Sequence, residues 1–156
     1  MHASQNFRML MIAAAFVLLP LSIERASAHD NHASYSAGEP GDPKKPSREI
    51  VVEMGDRFYK PKAIEVKRGE QVRFVLRNDG HEDHEFLLAT TAENLKHAEM
   101  MKKNPGMEHA EPNGLQLAPK KAGEIVWKFT KAGTFEFSCL IEGHREDGMT
   151  GTVVVK

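Results

Sequence analysis

The residues with the most to say about chemistry lie close together near the end of the chain, in Phe135-Glu136-Phe137-Ser138-Cys139-Leu140-Ile141-Glu142-Gly143-His144-Arg145-Glu146-Asp147-Gly148-Met149. A thiol, an imidazole and a thioether follow one another at five-residue steps, with glycines and charged residues between them. On a tight turn these three groups can converge on one point. A thiolate, an imidazole and a thioether together suit copper in both of its oxidation states. A second imidazole is needed to complete such a set. His84 fits, because it opens the apolar run His84-Glu85-Phe86-Leu87-Leu88 directly after a polar turn. The resulting set, His84, Cys139 and His144 with Met149 as a weak axial donor, is the arrangement of mononuclear electron-transfer copper. His81 competes with His84, but it sits within the turn itself, where a solvated surface histidine is the simpler reading.

The cysteine count supports a metal role. Cys139 is the sole cysteine, so it cannot form a disulfide within the chain, and an exported protein that uses cysteine structurally has an even number. A lone thiol in an oxidising compartment has to be buried and inert, paired with another chain, or held by a metal.

Export is itself an expectation from the N-terminus. An almost uncharged run from Met9 to Ile23 precedes the small residues Ala26-Ser27-Ala28, which reads as a signal peptide over residues 1–28, too short in its apolar part for a comfortable membrane span. Its removal leaves 19 basic and 21 acidic residues. That near-neutral balance without a basic cluster argues against nucleic acid as a partner, and no membrane attachment is expected after cleavage.

The elements that must position the donors are strands. Residues 29–47, HDNHASYSAGEPGDPKKPS, carry Pro, Gly, Ser and charge with few large apolar side chains and read as a flexible lead-in. From Arg48 onward, short alternating or β-branched runs separated by turn residues predict an all-β sandwich or small barrel over 48–156. Strands are expected at 49–54, 63–67, 71–77, 84–89, 124–130, 134–139 and 150–156. The exception is 91–104, rich in Ala, Glu, Leu, Lys and Met, which predicts a short inserted helix with Leu95, Ala98 and Met101 on one face.

Taken together, these features resemble the cupredoxin family of plastocyanin and azurin over residues 48–156. The resemblance rests on the turn Asn78-Asp79-Gly80 ahead of His84, and on Cys139, His144 and Met149 in that order before the last strand. More narrowly, the single domain, the His84-Glu85-Phe86 start and a Met- and His-bearing insertion look like periplasmic cupredoxins of bacterial copper tolerance. The resemblance implies a Greek-key β-sandwich, one copper ion on His84, Cys139, His144 and Met149, and a periplasmic, redox-active, monomeric protein of copper homeostasis without catalysis of its own. Its partners would be copper ions and a periplasmic redox or copper-handling protein. The alternative function is a dedicated electron carrier for a respiratory partner. Two departures stand out: Glu85 occupies a position where blue-copper members often have Asn, and His144 is flanked by Glu142, Arg145, Glu146 and Asp147 in place of an apolar patch.

Secondary copper features are expected at two places. His97, Met100, Met107 and His109 offer soft and imidazole donors within thirteen positions, with solvated histidines and Met101 packing beside Leu95 as the plain alternative. Cleavage after Ala28 would leave His29 at the N-terminus, able to chelate with its amine, with His32 close by.

Overall fold

The computed structural model describes residues 35–104 and 111–156. The proposed signal peptide and His29, His32, Met107 and His109 lie outside these residues. No helix among those described is long and apolar enough to cross a membrane.

Among the described residues, ten strands and one helix form a sandwich of two five-stranded sheets. The first sheet contains β1 (Glu39–Pro40), β8 (Ala122–Lys128), β5 (Gln71–Asn78), β2 (Arg48–Gly55) and β3 (Phe58–Lys60), in that spatial order. The second runs β4 (Ala63–Val66), β10 (Thr150–Val155), β9 (Gly133–Ser138), β6 (His84–Ala89) and β7 (Gly114–Leu117). The β2/β5 and β4/β10 pairs are parallel and the remaining pairs antiparallel.

The alternation predicted for Val72, Phe74 and Leu76 is realised, since all three are fully buried while the residues between them are partly open. They face Phe86, Leu88, Phe137 and Val153 of the other sheet in one core. Aromatic rings fill its middle: Phe86 stacks on Phe137 at 5.0 Å and Tyr59 meets Phe137 edge-on at 5.1 Å. The Tyr59 hydroxyl donates to the Glu85 carbonyl, which satisfies the one polar atom this ring carries into the interior. That bond also fixes the backbone next to His84.

Three short strands escape the sequence reading. β3 and β7, of three and four residues, are too brief to show an alternation. β1 lies within the stretch expected to be flexible. From Tyr35 on that stretch is tied down: Tyr35 meets Trp127 edge-on at 5.4 Å, Ala37 is fully buried, and Glu39 and Pro40 pair with Lys128 and Trp127. The physical reason is a pair of apolar anchors too small to register in a composition count, reinforced by the Gln71 side chain, which donates to the carbonyls of Asp42 and Lys45.

The helix, α1 (Thr91–Lys103), begins where predicted, with Thr90 and Glu93 forming a reciprocal capping box. Its packing differs from the expected apolar face. Leu95 is 47% exposed, and the buried residue is Asn94, whose amide donates to the Glu136 carbonyl and side chain. A polar anchor on β9 has replaced the predicted stripe. Replacing Phe137, stacked and edge-packed in the middle of the core, with Ala should lower unfolding stability by about 3–5 kcal/mol, measured by denaturant titration.

Candidate metal centre

Two loops at one end of the sandwich carry the donors. The first, between β5 and β6, is organised by the buried Asn78. Its amide donates to the carbonyls of Glu82 and Leu117, both at 2.8 Å, and its side-chain oxygen accepts the Gly80 N–H at 3.0 Å. This delivers His84 to the first position of β6, fully buried. Gly80 is required here by close approach, because a Cβ would lie 2.3 Å from Asp56 Oδ1 and 2.8 Å from His84 Nε2.

The second loop joins β9 to β10. Cys139 directly follows β9, and its N–H donates to the Met149 carbonyl at 3.2 Å. The Met149 N–H in turn donates to the His144 carbonyl, and the His144 N–H to the Ile141 carbonyl, both at 3.0 Å. The three predicted donors of this loop are thus cross-tied through their own backbone. Arg145 clamps the loop to the sheet by ion-pairing with the half-buried Glu136 of β9 at 2.9 Å.

The side chains meet inside. His84 Nδ1 and His144 Nδ1 lie 3.3 Å apart, and Cys139 Sγ lies 3.3 Å from His144 Nδ1. Donor atoms of the three residues all fall within 4.8 Å of one another, and all three residues are buried. Ligands sharing one first-row metal ion, at bonds of about 2.0–2.3 Å, stand roughly 3–4 Å apart. The arrangement fits one ion. The donor chemistry, one thiolate and two imidazoles, fits copper. Met149 is fully buried within the same apolar cluster as Cys139.

Burial disfavours charge on both Cys139 and His144. Burial pushes the Cys139 thiol up to about 11, opposed in part by the Glu85 N–H, which donates to Sγ at 3.3 Å. Burial, and then the nearby Arg57 and His84, hold His144 below its ordinary value. Glu85, set apart in the sequence reading, has a definite place: its carboxylate accepts the Leu140 N–H at 3.2 Å, tying the residue after Cys139 to β6.

His81 is exposed and pairs with Asp56 at 2.9 Å, outside the inner cluster. His97 and Met100 lie on α1, where Met100 is 47% exposed and His97 is not a member of the buried donor group. Sequence reasoning missed Asp56, Arg57 and Glu82, which surround the outer edges of the two imidazoles. Asp56 Oδ1 is 3.4 Å from His84 Nε2, Glu82 Oε2 is 3.4 Å from His144 Nε2, and Arg57 bonds both Glu82 and Asp147. Asp56 and Arg57 come from the β2–β3 turn, far from the ligand loops in sequence, and no motif marks them.

Residues 10–155 match the cupredoxin-like domain family. The chain is similar to the copper-resistant cuproprotein CopI of Rubrivivax gelatinosus, 50% identical over 132 residues that span 84% of this chain and 80% of the relative. It is also similar to the protein of the same name from Pseudomonas aeruginosa, 35% identical over 96% of this chain and 98% of the relative. Among solved structures, the fold is shared with reduced auracyanin from Roseiflexus castenholzii, with a TM-score of 0.61 and 19% identity over 72% of this chain and 99% of that one.

The raised thiol implies a pH dependence with a definite sign. Below about 11 Cys139 carries a proton that a bound ion must displace, so Cu(II) binding between pH 7 and 9 should release one proton from Cys139. The apparent affinity should rise about tenfold per pH unit over that range, which calorimetry in buffers of different ionisation enthalpy would measure.

Proposed function

The chain belongs to the cupredoxin-like domain family, and from that premise we propose that it is a periplasmic, mononuclear, type 1-like copper protein that protects against copper by binding it and cycling it between Cu(I) and Cu(II). The observation that carries this reading is the convergence of Cys139 Sγ with the Nδ1 atoms of His84 and His144 in one buried cluster. The relatives named copper-resistant cuproprotein, matched along most of their length, support the physiological half of the proposal. Copper held there supplies one-electron exchange.

Met149 is the proposed fourth, weak axial donor. Its backbone bonds to both Cys139 and His144 and its side chain, buried in the same apolar cluster as Cys139, support the assignment. The chain's own residues bind, orient and shield: β6 fixes His84, the cross-tied loop fixes Cys139 and His144, and the core beneath excludes water from the thiolate.

We take the protein to act without a catalytic step of its own. A single cysteine is one short of a dinuclear thiolate-bridged centre, and the sequence has no His-x-His pair of the kind a multinuclear oxidase uses. Export to the periplasm follows the expected signal peptide, and a partner that delivers electrons or accepts copper belongs to the same proposal. The charged edge of the site favours copper tolerance over service as a dedicated carrier, because Glu82, Asp147 and Arg57 ring the outer side of His144 where an apolar docking patch would be expected.

Cu(II) added to the purified protein should produce an intense thiolate-to-copper absorption band that Cys139→Ser abolishes. A strain lacking the protein should become copper-sensitive and be rescued by the parent but not by Cys139→Ser; unchanged growth on copper together with a lost respiratory activity would support the carrier reading. Met149→Leu, a volume-conserving swap costing under about 1.5 kcal/mol, should keep the band and raise the reduction potential, measured by redox titration, as one electron-pair donor to Cu(II) is withdrawn.

A further inference from the structure

The two histidines pose a hydrogen-bond accounting problem that the ligand set alone does not solve. Each neutral imidazole carries one proton, on one of its two nitrogens. Both Nδ1 atoms point inward, 3.3 Å from each other, and an ion can be bound only if both are bare. The protons then belong on Nε2, yet His84 is fully buried and His144 is 4% exposed, so bulk water offers little. Each Nε2 instead has a carboxylate at 3.4 Å: Asp56 lies within hydrogen-bonding geometry of His84, and Glu82 lies at ion-pair distance from His144.

Neither carboxylate is there by chance of a mobile side chain. Asp56 Oδ1 accepts the His81 backbone N–H at 2.7 Å, and its Oδ2 lies 2.9 Å from His81 Nδ1. Gly80 leaves the space in which the Asp56 carboxylate and the His84 ring approach each other. Glu82 is gripped by Arg57 Nε at 3.1 Å, while Arg57 Nη1 holds Asp147 of the ligand loop at 2.8 Å. Arg57 does this from a left-handed backbone at φ 70, a conformation that a non-glycine residue adopts at some energetic cost and that clusters at functional sites. Asp56, Arg57 and Glu82 are between 36% and 47% exposed, so their Coulomb terms are weakened by solvent. Their value is in orientation.

We propose that Asp56 and Glu82 are positioning residues of the copper site, Asp56 accepting the Nε2 proton of His84 and the Glu82 charge favouring the Nε2 proton of His144 from 3.4 Å, so that both rings present a bare Nδ1 to the metal, with Arg57 holding Glu82 and the ligand loop in register. The inference rests on the copper reading above. A carboxylate acceptor strengthens the imidazole as a donor, and its negative charge favours Cu(II) over Cu(I). Two carboxylates on the outer side of the site therefore bias it toward the oxidised ion.

The test uses the purified protein with Asp56→Ala, Glu82→Ala and the milder Asp56→Asn and Glu82→Gln. In the copper-free parent, nitrogen NMR should show the proton on Nε2 of both His84 and His144; each Ala variant should give a mixture of tautomers at its own histidine, and the amide variants should keep Nε2–H. Each Ala variant should weaken Cu(II) binding about 10–100-fold and Cu(I) binding less. A tenfold change in the ratio of the two affinities raises the reduction potential by about 59 mV for this one-electron couple. The amide variants should shift the potential in the same direction while leaving the tautomer intact, which a merely structural role would not do. A copper-free parent with Nδ1–H at either ring overturns the inference. So do Ala variants that fold, bind copper through Cys139 and match the parent in affinity and potential. Failure of the thiolate band in the parent would instead overturn the copper reading, and the tautomer measurement would still decide this one.

Discussion

The structure depends on keeping a thiol and two imidazoles together in a place where water cannot reach them. Left alone, such groups are poor company for an apolar core, since each buried polar atom needs a partner. Cys139 has the Glu85 N–H and the His144 Nδ1 as neighbours, and the outer nitrogens of the two rings lie beside Asp56 and Glu82. The cluster stays in place because the sandwich beneath it is rigid: Phe86, Phe137 and Tyr59 interlock, and the Tyr59 hydroxyl reaches up to the Glu85 carbonyl. Packing in the core is thereby transmitted to the backbone that carries His84. The ion finds donors already gathered.

The loops show how little regular structure is needed for this. Asn78 replaces several backbone partners at once, holding the β5–β6 loop by three hydrogen bonds from one side chain. The β9–β10 loop is closed by backbone bonds among its own prospective ligands and pinned from outside by Arg145 on Glu136. Glu136 also receives Asn94 of the helix, so a single carboxylate on β9 anchors both the insertion and the ligand loop. Glu85 extends the same logic. Its carboxylate accepts the Leu140 N–H, tying β6 to the ligand loop.

What was legible in the sequence is what is encoded locally. The run of short strands separated by turns, the helical composition of 91–104 and the order of Cys139, His144 and Met149 can each be read within a few residues. The missed parts depend on contacts between distant segments. Tyr35 and Ala37 look like tail until Trp127 is beside them. Leu95 fitted a helical stripe, but the neighbouring surface on β9 is the polar Glu136, and Asn94 turns toward it instead. Asp56 and Arg57 are two charged residues in a hairpin turn, unremarkable in sequence. Only the parallel pairing of β2 with β5, which sets Met54 against Asn78, carries that turn to the rim of the site.

That rim also bears on how a site of this kind can serve copper tolerance. An imidazole ligand at the surface of a redox protein is useful for rapid exchange with a partner when its outer edge is accessible and apolar. Here the outer edge of His144 faces Glu82, which is itself clamped by Arg57 and so to Asp147. Approach of a partner would have to desolvate three charges or match them with its own. Such a rim is poorly matched to an apolar partner surface, and its carboxylates are suited to attracting cations. A protein whose task is to take up copper and hold it gains from both effects. A carrier tuned for fast docking would lose by the first. The same charged residues that hold the histidines in register therefore also tilt the site toward capture.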